Sequence, residues 1–228
     1  MATELCLYVP PQARPDRQAT VLIIPPLFDE ANRMRRTLVL TMQVLSARGH
    51  GSLLPDLPGQ NDSLVETQDA TLTLWRSTLA NIALAQSEPV IVASWRGGAL
   101  IDDAANCAIG WWRMAPQSGS SIVKMLMRAR IAGDKAANRT TTIEQLRAMA
   151  CTGPIALAGN RLSAEMIAEL ENAQTAAVSP LRTVQTGDGD DRIAGTPLWL
   201  RAEPGEDAAM AVAMANDISD WARQCAAG

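Results

Sequence analysis

Residues 89–100 read Pro-Val-Ile-Val-Ala-Ser-Trp-Arg-Gly-Gly-Ala-Leu. A β-branched run, Val90 to Val92, passes through small residues and two glycines into an alanine-rich segment. That is the pattern of a strand turning sharply into a helix. When serine stands in the middle of Gly-x-Ser-x-Gly, such an elbow raises a nucleophile over the end of a sheet, in place for acyl transfer. Aligned on its last glycine, this stretch reads Ser94-Trp95-Arg96-Gly97-Gly98, so the apex residue is Arg96. A guanidinium stays protonated at any working pH and cannot attack a carbonyl carbon. Serine or cysteine hydrolysis also needs a general base, most often histidine. The sole histidine is His50, upstream of the elbow between Gly49 and Gly51.

These residues depend on the elements around them. Residues 4–9 read as an opening strand, and the polar stretch 12–19, with Pro15, as a hairpin-like connection. Val21 to Ile24 is a compact apolar run suited to a strand buried on both faces. Residues 31–47 and 70–85 carry helical periodicity, with a short strand at 52–54 between them and the elbow strand after them. Beyond the elbow, strands are expected at 107–114, 154–158, 181–185 and 197–201, and helices at 118–132, 163–173 and 207–226. Alternating strands and helices imply an α/β fold, a mostly parallel sheet with helices on both faces. Residues 1–228 are expected to form one domain, with 115–150 as a small helical cap insertion between two strands.

Composition removes several function classes. The chain has 228 residues, 47% of them hydrophobic, which supplies a sizeable core, and its net charge is −4. No long basic stripe is present, which disfavours nucleic-acid binding. Apolar stretches are strand-sized, far below the roughly 20 residues that span a bilayer. No basic start is followed by an apolar block, so no export signal is read and a cytoplasmic setting is expected. Cys6, Cys107, Cys151 and Cys225 are widely spaced without a Cys-x-x-Cys pair, so reduced thiols are expected. No metal or cofactor is expected: one histidine leaves few zinc ligands, and Asp188, Asp190 and Asp191 lack the rest of a calcium loop.

Four stretches carry a family resemblance. They are Ile23-Ile24-Pro25-Pro26-Leu27-Phe28-Asp29-Glu30-Ala31-Asn32 with Arg35-Arg36; Asp56-Leu57-Pro58-Gly59-Gln60-Asn61-Asp62-Ser63; Ser94 to Gly98; and Gly159-Asn160-Arg161-Leu162-Ser163. From about Val21 to the C-terminus the chain resembles the α/β-hydrolase superfamily. Within it, the chain is similar to the exosortase A system-associated hydrolase 2 group, linked to exopolysaccharide production. The resemblance implies an α/β-hydrolase fold and makes an arginine at the elbow a trait of the subgroup. It also implies where a triad would stand. The acid would follow the strand at 154–158, where Asn160 is found, and the histidine would follow the strand at 197–201, where the chain reads Ala202-Glu203-Pro204-Gly205-Glu206. The degenerate site points to a chain without ordinary Ser-His-Asp catalysis.

Around the elbow two readings of Arg96 stand. Its guanidinium could hold a carboxylate or phosphate of an anionic or acyl-bearing ligand, or it could close the pocket through a salt bridge to Glu203, Glu206 or Asp29. Backbone N–H groups of Leu27, Phe28 and Gly97 would add donors for an anion or carbonyl oxygen. Trp95 is a candidate pocket wall. Ser94, two residues before the apex, is the alternative nucleophile, with Glu203 as its base; the rival function is accordingly an ester or thioester hydrolase with an atypical nucleophile or base. A protein partner or an assembly role is the third reading. His50 is read as structural, at the opposite end of the sheet from the elbow. Asp56 and Asp62 are read as loop-stabilising acceptors, and Arg35 and Arg36 as either a solvated charge face or an anchor to one of them.

Overall fold

The computed structural model describes residues 4–12 and 19–227, so most of the connection expected at 12–19 lies outside the described residues. Among the described residues nine strands form: β1 (Cys6–Val9), β2 (Thr20–Ile24), β3 (Ser52–Pro55), β4 (Val90–Trp95), β5 (Gly110–Met114), β6 (Ile155–Leu157), β7 (Asn160–Leu162), β8 (Leu181–Thr186) and β9 (Arg192–Ile193). Seven of them make one sheet in the order β1-β3-β2-β4-β5-β8-β9, and β1 alone runs antiparallel to its neighbour. The helices are α1 (Asp29–Ala47), α2 (Leu72–Leu84), α3 (Gly119–Ala136), α4 (Ile143–Ala150), α5 (Ala164–Asn172) and α6 (Ala208–Ala227).

The period-2 alternation of the strands sorts the core into two layers. Leu22, Ile24, Val90, Val92 and Trp111 face α2, α3 and α5. Val21, Ile23, Ala93, Trp95, Trp112 and Met114 face α1 and α6. β2 and β4 are buried at every position, which is why Val21 to Ile24 and Val90 to Ala93 are apolar without a break. The expected mostly parallel sheet with helices on both faces is the observed architecture.

Local chemistry starts the helices where polar caps stand. Thr71, Ser118 and Ser163 side chains accept from Leu74, Ser121 and Met166 amides, and Thr142 with Gln145 forms a capping box. The first turn of α2 has a second acceptor: the Glu169 carboxylate on α5 takes the Leu72 amide at 2.6 Å and the Thr73 hydroxyl at 2.5 Å.

Three expectations need correction. The strand at 154–158 exists as β6, but it pairs only with β7 in a separate two-stranded sheet. Its neighbours are α3 and α4, and it never joins β5; β8 does. The closing strand at 197–201 is instead a 3₁₀ turn, Leu198–Leu200, and the last strand of the sheet is the short β9. The apolar run Leu198-Trp199-Leu200 mimics a strand, yet its two buried members pack under α1 and α6 without ladder bonds. Finally, the helix after the elbow is reduced to two 3₁₀ turns, Arg96–Leu100 and Asp102–Ala104.

Candidate functional site

β4 ends at Trp95, and Arg96 follows with φ 55°. A non-glycine residue in this left-handed region is uncommon and marks a strained turn. The turn is as sharp as the sequence suggests because Gly98 lies flat on β2: a Cβ there would sit 2.6 Å from the Pro25 carbonyl oxygen. Phe28, in the β2–α1 loop facing the elbow, is also left-handed, with φ 59°.

The Arg96 side chain is spent internally. Its Nε donates to Glu30 Oε2 at 3.1 Å and its Nη2 to Glu30 Oε1 at 3.3 Å. Nη2 also donates to Gln117 Oε1 at 2.5 Å, and Nη1 to the Ala115 carbonyl at 3.2 Å. The guanidinium carbon lies 5.1 Å from the centroid of the Trp199 ring, a cation–π distance. The sequence-based partners Glu203, Glu206 and Asp29 are therefore wrong by geometry. Glu206 pairs with Arg36, Glu203 is exposed, and the first turn of α1 directs Glu30, 1% exposed, at the elbow. Burial pushes the Glu30 carboxyl up, and the Arg96 hydrogen bonds and charge oppose that shift.

The donors expected of an oxyanion site are crowded. Leu27 and Phe28 are buried, and a Cβ at Gly97 would meet Ile122 Cδ1 at 2.5 Å and Leu27 Cγ at 3.0 Å. Apolar side chains thus occupy the space above Gly97. The cleft beside this loop, lined by Pro25 to Phe28, Leu57, Gln60 and Asn61, holds about 10 Å³, the room of about one water at most.

Trp95 does not wall a pocket. It points to the opposite face, fully buried, 5.1 Å from the Trp112 ring and with its Nε1 donating to Met214 Sδ.

Ser94 points to the α2–α3 face and is sealed. Its hydroxyl donates to Asp102 Oδ2 at 2.7 Å, and Arg113 forks onto the same carboxylate at 2.8 and 2.7 Å. All three side chains are buried. Sequence reasoning missed this network; a polar Asp102 and Arg113 flanking apolar runs were its only trace. Glu203 plays no part in it. Desolvation pushes Asp102 up, and Arg113 and Ser94 oppose that.

The remaining candidates are placed as follows. Asp56 accepts from Arg35 at 2.9 Å and from Asn61 at 2.7 Å, whereas Asp62 is exposed and Arg36 pairs with Glu206 rather than with either aspartate. His50 is buried at the start of β3, the end of the sheet away from the elbow. Its Nδ1 lies 3.1 Å from the Ala19 carbonyl and its Nε2 3.0 Å from Ser219 Oγ. Burial pushes its pKa down, the Ala19 hydrogen bond opposes this, and Arg223 and Arg48 add to the depression. Asn160 donates to the Ala158 carbonyl in the β6–β7 hairpin, which does not pair with the seven-stranded sheet. The sheet strand beside β5 is β8, and the loop leaving its end carries Asp188, Asp190 and Asp191, all exposed. Asp191 pairs with Arg182 at 3.2 Å. Among the described residues no group of three metal-ligating side chains gathers, and no helix is long and apolar enough to cross a membrane.

No family model matches the sequence, and no curated protein matches it by sequence. Solved structures do match its shape. Mouse alpha/beta hydrolase domain-containing protein 10 superposes with a TM-score of 0.61 at 13% identity, over 98% of this chain and 99% of that one. Est1E from Butyrivibrio proteoclasticus gives 0.58 at 13% identity, over 100% and 99%. A putative hydrolase from Agrobacterium vitis S4 gives 0.53 at 15% identity, over 96% and 92%.

Proposed function

We propose that this chain, which has the α/β-hydrolase fold, is a non-hydrolytic binding or assembly protein whose elbow has become a structural plug. The observation that carries the reading is the Arg96–Glu30 pair: the position that would hold a nucleophile holds a cation, tied to a buried carboxylate and roofed by Trp199. Acyl transfer needs a group that can lose a proton and an acceptor for that proton. Arg96 offers neither, and the chain's one histidine is engaged at the far end of the sheet. In this reading residues 115–150 form a cap insertion, with Ile122 filling the space over Gly97. A cytoplasmic protein attached to exosortase-linked exopolysaccharide production is the setting we attach to it, supported by the stretches at 23–36, 56–63 and 94–98.

One observation favours the rival. Ser94 is hydrogen-bonded to a carboxylate, as an activated hydroxyl would be. Both oxygens of that carboxylate are occupied by Arg113, and Ser94 has no exposed surface, so the pair is better suited to holding β4 and β5 to the elbow turn. The test is a panel of short-chain acyl esters and acyl thioesters with the purified protein, Ser94→Ala and Arg96→Ser, together with a fluorophosphonate probe. No turnover and no covalent label on any of the three is expected. Wild-type turnover that disappears in folded Ser94→Ala establishes the rival.

A further inference from the structure

Away from the elbow, α3, the turn after it and the β6–β7 hairpin border an open surface cleft of about 430 Å³. That is within the size range of small-ligand sites. Arg130, Asp134 and Arg139 line it, with Ala156, Ala158 and Gly159 as an unobstructed wall. Asp134 is a buried hub: its carboxylate accepts from Arg130 Nε at 2.9 Å, from Arg139 Nη2 at 2.8 Å and from Thr141 Oγ1 at 2.7 Å. Those hydrogen bonds, Thr141 first, hold it below the usual carboxylate range, so it stays charged and fixes both guanidinium groups. One carboxylate neutralises only one of the two arginines. Arg130 also donates Nη1 to the Ala156 carbonyl, and among the described residues neither Arg130 Nη2 nor Arg139 Nη1 has an acceptor.

Two further observations point the same way. Residues 119–163 contain seven Lys and Arg against two acidic residues, a net +5 within a chain of net −4. The cleft therefore sits on the positive part of an acidic molecule, where a field would concentrate small anions. Gly133 stands inside α3, where glycine weakens a helix, and no neighbour requires it: a Cβ there would meet nothing within 4 Å. Its missing side chain keeps the approach to the arginines clear.

We propose that this cleft binds the phosphate group of a small anionic ligand, with the free guanidinium edges of Arg130 and Arg139 as donors and Asp134 as their positioning residue. Guanidinium forks match phosphate oxygens in geometry and charge. The proposal is independent of whether Ser94 turns over esters, and the two are read by different measurements.

Calorimetric titration of the purified full chain with inorganic phosphate and pyrophosphate tests it. Saturable binding is expected, tighter for pyrophosphate. Arg139→Ala should weaken it by about tenfold or more, the loss of one charge-assisted hydrogen bond. Gly133→Phe should abolish it by filling the cleft without touching the polar cluster, and both variants should melt as cooperatively as wild type. Arg201→Ala, an exposed arginine whose side chain donates to Thr196, is the control and should bind as wild type does. Absence of saturable binding at millimolar probe overturns the proposal. So does equal weakening by Arg201→Ala, or binding that survives Gly133→Phe.

Discussion

Arg96 and Glu30 meet across the C-terminal end of the sheet, Nε to Oε2 at 3.1 Å, one from the elbow after β4 and the other from the first turn of α1. Both side chains are largely withdrawn from water, at 17% and 1% exposure. A pair of this kind is costly to break from one side, because the surviving charge stays desolvated.

Arg96→Ala is accordingly expected to destabilise the protein by about 3 kcal/mol in chemical denaturation. Glu30→Gln should cost less, and the double variant should fall well short of the sum of the two. Additive effects would mean that the pair does not couple.

The pair also carries a pH signature. The folded-state pKa of Glu30 is raised, so the native state holds that proton to higher pH than the unfolded chain. The stability this contributes is fully present below the ordinary glutamate pKa and is lost as pH rises through the folded value. Glu30→Gln removes the effect, so wild-type stability minus variant stability should decline as pH rises across that window. A difference that grows with pH contradicts it.

His50 gives the opposite sign in a separate window. Its pKa is depressed, so its contribution is present above the unfolded value of about 6.5 and lost as pH falls. With one titrating group the slope cannot exceed about 1.4 kcal/mol per pH unit. Because there is no other histidine, His50→Gln should flatten the stability profile between neutral pH and the carboxylate range, and NMR titration of the imidazole should show the lowered midpoint directly.

Two glycines of α3 should respond in opposite directions. Gly133→Ala removes a helix-interior glycine with open space around it and should stabilise by about 0.5 to 1 kcal/mol. Gly119→Ala would drive a Cβ into the Leu170 carbonyl oxygen of α5. It should destabilise, and thermal melts of the two variants suffice to see the contrast.

Much of this was legible because the sheet is buried on both sides. Val21 to Ile24 and Val90 to Val92 are apolar without interruption, as strands covered on both faces are. Arg96 at the apex could be read from the spacing of Gly97 and Gly98 alone. Its partner could not. Asp29 and Glu30 are adjacent acids, and which one reaches the elbow is settled by the phase of α1, fixed in turn by the left-handed Phe28. The segment 154–158 was misplaced for a different reason. Apolar β-propensity identifies a strand but says nothing about which sheet receives it. Asp102 and Arg113 are far enough from the expected motifs that only their convergence on Ser94 reveals them.

The Glu169 carboxylate takes the Leu72 amide and the Thr73 hydroxyl at the start of α2. Together with the Ala176 carbonyl held by Arg113, it ties the polypeptide running from α3 to β8 to α2 and β5 through polar contacts. Pulling this segment away from the sheet would leave the Leu72 amide, the Thr73 hydroxyl and one Arg113 nitrogen without those acceptors, so its separation costs polar as well as apolar contacts.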